Sequence, residues 1–252
     1  IVKNGRFGSK MRNLETQDTI TVDGFTDAFT QELMGMTAEH VADQFNVTRE
    51  DQDAFALESQ LRASKAQREG IFKAEIVPVE TKKGIFEEDE YIRHNSTLEG
   101  LQKLKPSFRE GGSVTAGNAS GVNDGAAALV IMSREKAEAM NLEILATING
   151  FAEIGMDPSI MGYAPYLAVS KLVEKTKIDL NSVDRFELNE AFAAQSLAVI
   201  RDLNIDANKV NVNGGAISLG HPIGASGARI MVTLIYEMLR SDSKRGVASL
   251  CI

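Results

Sequence analysis

The chain has 252 residues, 43% apolar and 25% charged, with 21 Gly and 5 Pro, which excludes disordered, collagen-like and disulfide-dense classes. Lys plus Arg number 27 against 35 Asp plus Glu, a net charge of −8 without a basic run, which argues against a nucleic-acid partner. The single cysteine, Cys251, excludes an intramolecular disulfide, and the longest apolar stretch (125–132) is far short of the ~20 residues that span a bilayer.

Residues 1 to about 112 are polar and loop-rich, with two helical patterns inside them. Thr37 is placed to cap a short helix running through Phe45. Thr48-Arg-Glu-Asp51 resembles a capping box, and the helical pattern then continues to about Glu69 and stops at Gly70. Within it Phe55, Ala56, Ser59 and Gln60 form a narrow stripe on a mostly wet helix. Residues 76–79 read as a short edge strand, because Pro78 cannot donate to a ladder. The charged run 87–90 reads as solvated surface.

After Gly112 the residues become small and Gly-punctuated, then pass into an apolar run, 126–132, expected as a buried strand or helix. Small residues let backbones approach one another or a ligand; on these residues alone a tightly packed turn is the plainer reading. From about residue 145 strands alternate with helices: strands over 145–148, 184–188, 210–212 and 246–251, helices over 166–175, 191–203 and 225–240. The last helix is amphipathic through Ile230, Leu234 and Met238. This order predicts a layered α/β domain.

Three reactive side chains fall at equivalent places. Asn189-Glu190 follows one strand, Gly220-His221-Pro222 follows the next, and Cys251 ends the last. Ligands of open α/β sheets bind outside the carboxyl ends of strands, so Asn189, His221 and Cys251 are expected to share one crevice. Five glycines between Asn213 and Gly227 lead directly into a helix, in neither a dinucleotide nor a P-loop pattern. His221 there suits a general base or an oxyanion donor, and a neighbouring histidine and helix dipole are expected to help Cys251 form a thiolate. A Ser–His hydrolase is the rival enzyme: Ser120 and Ser226 are available, but neither lies in G-x-S-x-G and no Asp is placed to orient His221. A binding module without chemistry explains the glycines and leaves that convergence unexplained.

Asn189-Glu-Ala-Phe-Ala-Ala194, the run from Asn211 to Gly227 and Leu250-Cys-Ile252 resemble the thiolases, and among them the acetyl-CoA acetyltransferases. Met34-Gly-Met-Thr-Ala-Glu39, Asp51-Gln-Asp-Ala-Phe-Ala56, Glu75-Ile-Val-Pro78 and residues 115–125 extend the match along essentially the whole chain. The resemblance implies a layered αβαβα fold with a loop-rich CoA-binding domain: 1–112 as that loop domain, 113–144 as the end of the N-terminal core and 145–252 as the C-terminal core. It implies reversible Claisen condensation of two acetyl-CoA to acetoacetyl-CoA and CoA through an acyl-cysteine, with no cofactor beyond the CoA thioesters themselves. His221 is then the base that activates the nucleophilic cysteine, and Cys251 the second acid/base. Asn189 holds a water that completes an oxyanion hole with His221. Ser120 contacts the pantetheine arm, and Met34, Phe108, Met161, Ala191 and Phe192 line the acyl and pantetheine pocket.

The departures from the family pattern are specific. Cys251 is the only thiol, whereas the family's nucleophilic cysteine belongs to an N-terminal region absent here. The chain opens on Ile1 and ends at Ile252, before the glycine that follows Cys-Ile in the family, so it reads as an inactive fragment of an active parent. Leu33 stands where a histidine is common in the short-chain enzymes. A 3-ketoacyl-CoA thiolase of fatty-acid breakdown and an inert CoA-binding relative are the alternatives. The related β-ketoacyl synthases need a second catalytic histidine motif, which His40 and His94 do not form. A cytoplasmic homotetramer is expected, with contacts through residues 7–23, and no membrane partner.

Overall fold

The computed structural model describes residues 2, 5–8, 11 and 13–251. Ile252 of the last motif, and residues 9, 10 and 12 of the expected oligomer segment, lie outside them. Helix α1 spans Met34–Gln44 and α2 spans Arg49–Arg68. The Thr48 side chain accepts from the Asp51 amide at 3.1 Å, acidic residues fill the first turn of α2 and Lys65 and Arg68 its last, as a helix dipole favours. The buried face of α2 is half polar: Gln52, Asp53, Ser59 and Gln60 are buried beside Ala56 and Ala63. Each reaches across to another element, Gln52 to Ser113, Asp53 to Asn118, Ser59 to Glu190 and Gln60 to the Ile217 carbonyl. The helix thus fastens the loop region to the functional half by hydrogen bonds as well as by apolar burial.

Thr37 does not cap α1. It lies inside the helix, where its hydroxyl donates to the Met34 carbonyl at 2.7 Å, the back-bonding open to a threonine once the helix starts upstream. The expected edge strand moves three residues on: β1, Val79–Thr81, pairs with β2, Gly84–Phe86, as an antiparallel hairpin beyond Pro78. Short helices α3 (Leu98–Gln102) and α4 (Arg134–Ala139) follow.

Helix α5, Ala164–Thr176, leads to β3, Arg185–Leu188; α6 is Ala193–Asp202, α7 is Ala216–Leu219, α8 is Ser226–Arg240 and β4 is Gly246–Ser249. Strands β3 and β4 pair in parallel, with Arg185 opposite Gly246 and Leu188 opposite Ser249. Successive residues Phe186, Glu187 and Leu188 are all buried, so both faces of β3 are covered. Helix α8 packs on both strands through its buried Ile230 and Leu234. The main core gathers Val41, Val169, Phe186, Leu188, Val199 and Val247.

Residues 210–212 form no strand, only a parallel bridge from Val210 to Phe186. The runs 126–132 and 145–148 form neither helix nor strand and belong to no ladder among the described residues. The burial expected of 126–132 is absent as well: Val130 is 88% exposed and Phe151, farther along, 71%. A strand exists only with a hydrogen-bonded neighbour, and none of the described residues supplies one here.

Candidate active site

Strand pairing continues past the end of β3, where the Asn189 amide donates to the Ser249 carbonyl at 3.0 Å. That bond sets Asn189 beside the end of β4, with Cys251 two residues further. Asn211, in a left-handed conformation at φ 45°, clamps this strand end: its Oδ1 accepts from the Leu188 amide and its Nδ2 donates to the Leu188 carbonyl and to Glu190, each at 2.8 Å. Glu190 is buried and also accepts from the Ser59 hydroxyl at 2.6 Å and the Ile217 amide at 3.3 Å. It anchors the turn that carries Asn189 to α2 and α7.

His221 is held from two sides. Its amide donates to Asn123 Oδ1 at 3.2 Å, and Gly220 (φ 98°) lies so near Asn123 that a Cβ there would stand 2.5 Å from its side chain. On the ring, Nδ1 is 2.6 Å from the Ser226 hydroxyl, which donates its single proton to the Pro222 carbonyl at 3.0 Å. Ser226 therefore accepts from Nδ1–H, and the lone pair of neutral His221 is left on Nε2. Nε2 faces Asn189 Nδ2 at 3.4 Å, and Asn189 Oδ1 is buried without a hydrogen-bond partner among the described residues. Burial, reinforced by the charge of Arg229, lowers the His221 pKa, so the ring is a neutral base at pH 7.

Cys251 shares this end of the strands, although the hydrogen bonds that join Asn189, His221 and Ser226 do not include its thiol. Its environment corrects the expectation of a stabilised thiolate. Although the residue keeps some exposure, desolvation pushes the thiol up to about 11. Burial disfavours the anion, and the only opposing influence is a hydrogen bond from the backbone of Cys251 itself.

The residues expected around the substrate form a second group. The Ser120 amide donates to the Ala191 carbonyl at 2.9 Å, and Ala119 bridges to Phe192. Phe192 meets Phe108 edge to face, ring centroids 6.2 Å apart. Phe108 in turn covers Gly35 so closely that a Cβ at Gly35 would lie 2.3 Å from its ring, which brings the Met34 end of α1 to the same place. Met161 is half-buried in the 3-10 turn Pro158–Tyr163, which packs on α1 and α6. Next to the Ser120 turn a cleft of about 530 Å³ runs between Arg93, His94 and Thr97, with Leu101, Leu104 and Gly117 closing it. Sequence reasoning missed this cleft; its signal was the Arg93-His94 pair just before the capping Thr97. A shallower cavity of about 400 Å³ lies beside His221, between Asn123 and Ala127 on one side and Pro222 and Ala225 on the other.

Behind the site Arg229 faces buried acids. Its Nη1 is 3.8 Å from Glu187 Oε2, and through Thr233 it is linked to Glu75. Burial, opposed by Arg229, pushes Glu187 up to about 8; burial, opposed by the Thr233 hydrogen bond and Arg229, pushes Glu75 up to about 7. Both raised groups bind protons in the folded state that the unfolded chain has already released above its carboxylate range. Their contribution to stability is complete below about pH 4.5 and is lost as pH rises toward 7 and 8, with a limiting slope of ~1.4 kcal/mol per pH unit for each. Glu187→Gln removes one such loss, so its Tm relative to the native protein rises between pH 5 and pH 8 in parallel thermal unfolding. A constant difference across that range overturns the assignment.

Comparison with known proteins agrees with this geometry. Family models described as Thiolase, N-terminal domain and Thiolase, C-terminal domain match residues 2–135 and 142–252. A probable acetyl-CoA acyltransferase of Staphylococcus aureus (strain COL) is 52% identical over 257 residues, covering all of this chain and 65% of the relative. The crystal structure of the Bacillus anthracis acetyl-CoA acetyltransferase superposes with a TM-score of 0.94 at 46% identity, over 100% of this chain and 65% of that one. Human mitochondrial 3-ketoacyl-CoA thiolase, also solved in complex with CoA, gives 0.93 at 44% identity, over 100% of this chain and 64% of that one. The chain thus spans 65% of the length of the curated relatives it matches, and its fold is the α/β fold of these enzymes. With both family models matched along its length and its Asn189 and His221 motifs meeting at one end of the strands, the chain belongs to the thiolase family.

Proposed function

We propose that these residues are the base and acid half of an acetyl-CoA C-acetyltransferase, which condenses two acetyl-CoA to acetoacetyl-CoA and CoA and runs the reverse cleavage. The observation that carries this reading is His221, whose Ser226 bond leaves the Nε2 lone pair facing Asn189, at the strand ends that also bear Cys251. His221 takes the proton of a nucleophilic cysteine; the thiolate attacks the thioester carbonyl, the C–S bond to CoA breaks, and His221 passes the proton to the departing CoA sulfur, so one hard step becomes two easier ones. A water held by Asn189, together with His221 when its Nε2 carries a proton, stabilises the enolate oxygen of the second acetyl-CoA. Cys251 removes its α-proton; in cleavage the Cys251 thiol returns that proton to the carbon released as the C–C bond breaks. Because Cys251 is the only cysteine of the chain and has this second role, the nucleophile belongs to a part of the protein outside these residues. By itself, then, the chain forms no acyl-enzyme, and an acetyl adduct with turnover on the isolated chain would overturn this.

The cleft beside Ser120 takes the CoA arm in this reading. It adjoins the Ser120 turn, and Arg93 and His94 on its wall suit the phosphates of the nucleotide. Residues 1–112 serve as the loop domain, 113–144 as the end of the N-terminal core and 145–252 as the C-terminal core. The bare apolar side chains between Val122 and Ile154 pack against the remainder of the thiolase fold. The parent is a homotetramer, a state that light scattering tests.

The deciding experiment is CoA-dependent cleavage of 3-ketoacyl-CoA esters of increasing length by the full-length protein, followed as loss of substrate absorbance. Preference for acetoacetyl-CoA supports the acetyltransferase. Preference for longer chains makes it a 3-ketoacyl-CoA thiolase, and CoA binding without cleavage makes it an inert relative.

A further inference from the structure

We propose that the Arg49–Asp53 pair on α2, its carboxylate buried and its guanidinium partly exposed, is a positioning device that joins the two walls of the cleft beside Ser120 and so sets affinity for CoA. The proposal rests on the reading of that cleft as the CoA site. Asp53 is fully buried; its carboxylate accepts from Arg49 Nε at 2.7 Å and from Asn118 Nδ2 at 3.0 Å. Asn118 is the frame of the 113–118 turn: its Oδ1 accepts from the Thr115 amide at 2.8 Å, and its Nδ2 also donates to the Ser113 carbonyl at 3.1 Å. Its own carbonyl accepts from the Ala193 amide at the start of α6, so the turn, and Ser120 two residues later, is fixed against the Ala191–Phe192 wall. One wall of the cleft therefore hangs from Asp53.

The other wall hangs from Arg49. Its Nη2 donates to the Leu101 and Leu104 carbonyls, each at 2.9 Å, with Gln102 at 3.5 Å. The Leu101 carbonyl lies at the end of α3, where it also accepts from the Leu104 amide, and the Leu104 carbonyl lies just beyond the helix. Leu101 and Leu104 also line the cleft, and they approach the opposite wall so closely that a Cβ on Gly117 would stand within about 2.6 Å of both. A single ion pair thus holds both sides of one groove at their point of closest approach. A buried ion pair is a poor way to gain stability, since its desolvation consumes most of the attraction. A planar guanidinium that reaches a carboxylate and two carbonyls together is a good way to fix geometry, and a lysine cannot reproduce the fork.

The test is calorimetric binding of CoA and of pantetheine to the full-length protein and to its Arg49→Lys and Asp53→Asn variants. Pantetheine lacks the nucleotide. The expected result is CoA binding weakened about ten- to a hundredfold in both variants, as misplacement of a positioning group costs, with pantetheine also weakened in Asp53→Asn, whose carboxylate fixes the Ser120 turn, but changed less than about twofold in Arg49→Lys, which releases the α3 wall alone. Unchanged CoA binding in both variants overturns the role of the pair, and so does equal weakening of CoA and pantetheine in Arg49→Lys. A native protein that binds neither ligand instead removes the reading of the cleft. Arg49→Lys keeps the buried charge balance, so it answers the question where Asp53→Asn does not fold.

Discussion

His221→Asn in the full-length protein is expected to lower kcat for acetoacetyl-CoA cleavage by about 10²- to 10⁴-fold, the range of a lost general base. The His221 side chain has one role that Asn can keep only in part, the Nδ1 bond to Ser226, and one that it loses entirely, the basic Nε2 opposite Asn189. The backbone contact that places the loop does not depend on the ring, because the His221 amide donates to Asn123. Binding of CoA and Tm therefore change little while turnover collapses. Ser226→Ala is the graded companion: it leaves Nε2 in place but removes the acceptor that selects the tautomer, for a loss of about tenfold. A drop in Tm that accounts for the lost activity, or a His221→Asn enzyme within tenfold of native, would sink the assignment.

The parts of the molecule that the sequence made legible are those with local signals. Thr48 and Asp51 announce α2, the 3.6-residue spacing of Ile230 and Leu234 announces α8, and an apolar run between turns announces β3 and β4. The buried strand or helix expected over 126–132 and the strand expected over 145–148 are not formed for a non-local reason: an apolar segment becomes a strand only when a neighbour pairs with it. The placing of Asn189 and Cys251 at one end of β3 and β4 was readable because the rule for strand ends is positional, whereas His221 reaches Asn189 from a segment that follows no strand. What fixes them was not. Asn123, Asn211, Ser226 and the Arg49–Asp53 pair act through polar contacts, most of them across tens of residues of sequence, and such contacts leave no period and no motif of their own. The sign of the Cys251 shift was misread for a similar reason, since burial is a property of the folded chain and decides the shift, in place of the dipole and histidine that proximity suggested.

Cys251→Ala carries the second large effect, and it separates the two half-reactions. A thiol with a pKa of about 11 is protonated throughout the physiological range, so it is ready to donate a proton and, once ionised, is a stronger base than an ordinary thiolate. In cleavage that proton goes to the carbon of the leaving acetyl-CoA enolate; in condensation Cys251 recovers it from the methyl group of acetyl-CoA. Removing the thiol is expected to lower kcat for cleavage and for condensation by about 10²- to 10⁴-fold. Acylation of the nucleophilic cysteine by acetyl-CoA needs His221 and not Cys251, so intact-mass measurement on Cys251→Ala should still show one acetyl group added. The titration itself can be read on this chain, because Cys251 is its only cysteine: the pH dependence of its alkylation rate by iodoacetamide, followed by intact mass, reports one group. A midpoint near 11 supports an acid, whereas a midpoint near 8, or a Cys251→Ala enzyme that keeps most of its turnover, makes Cys251 a packing residue and moves the proton transfer elsewhere.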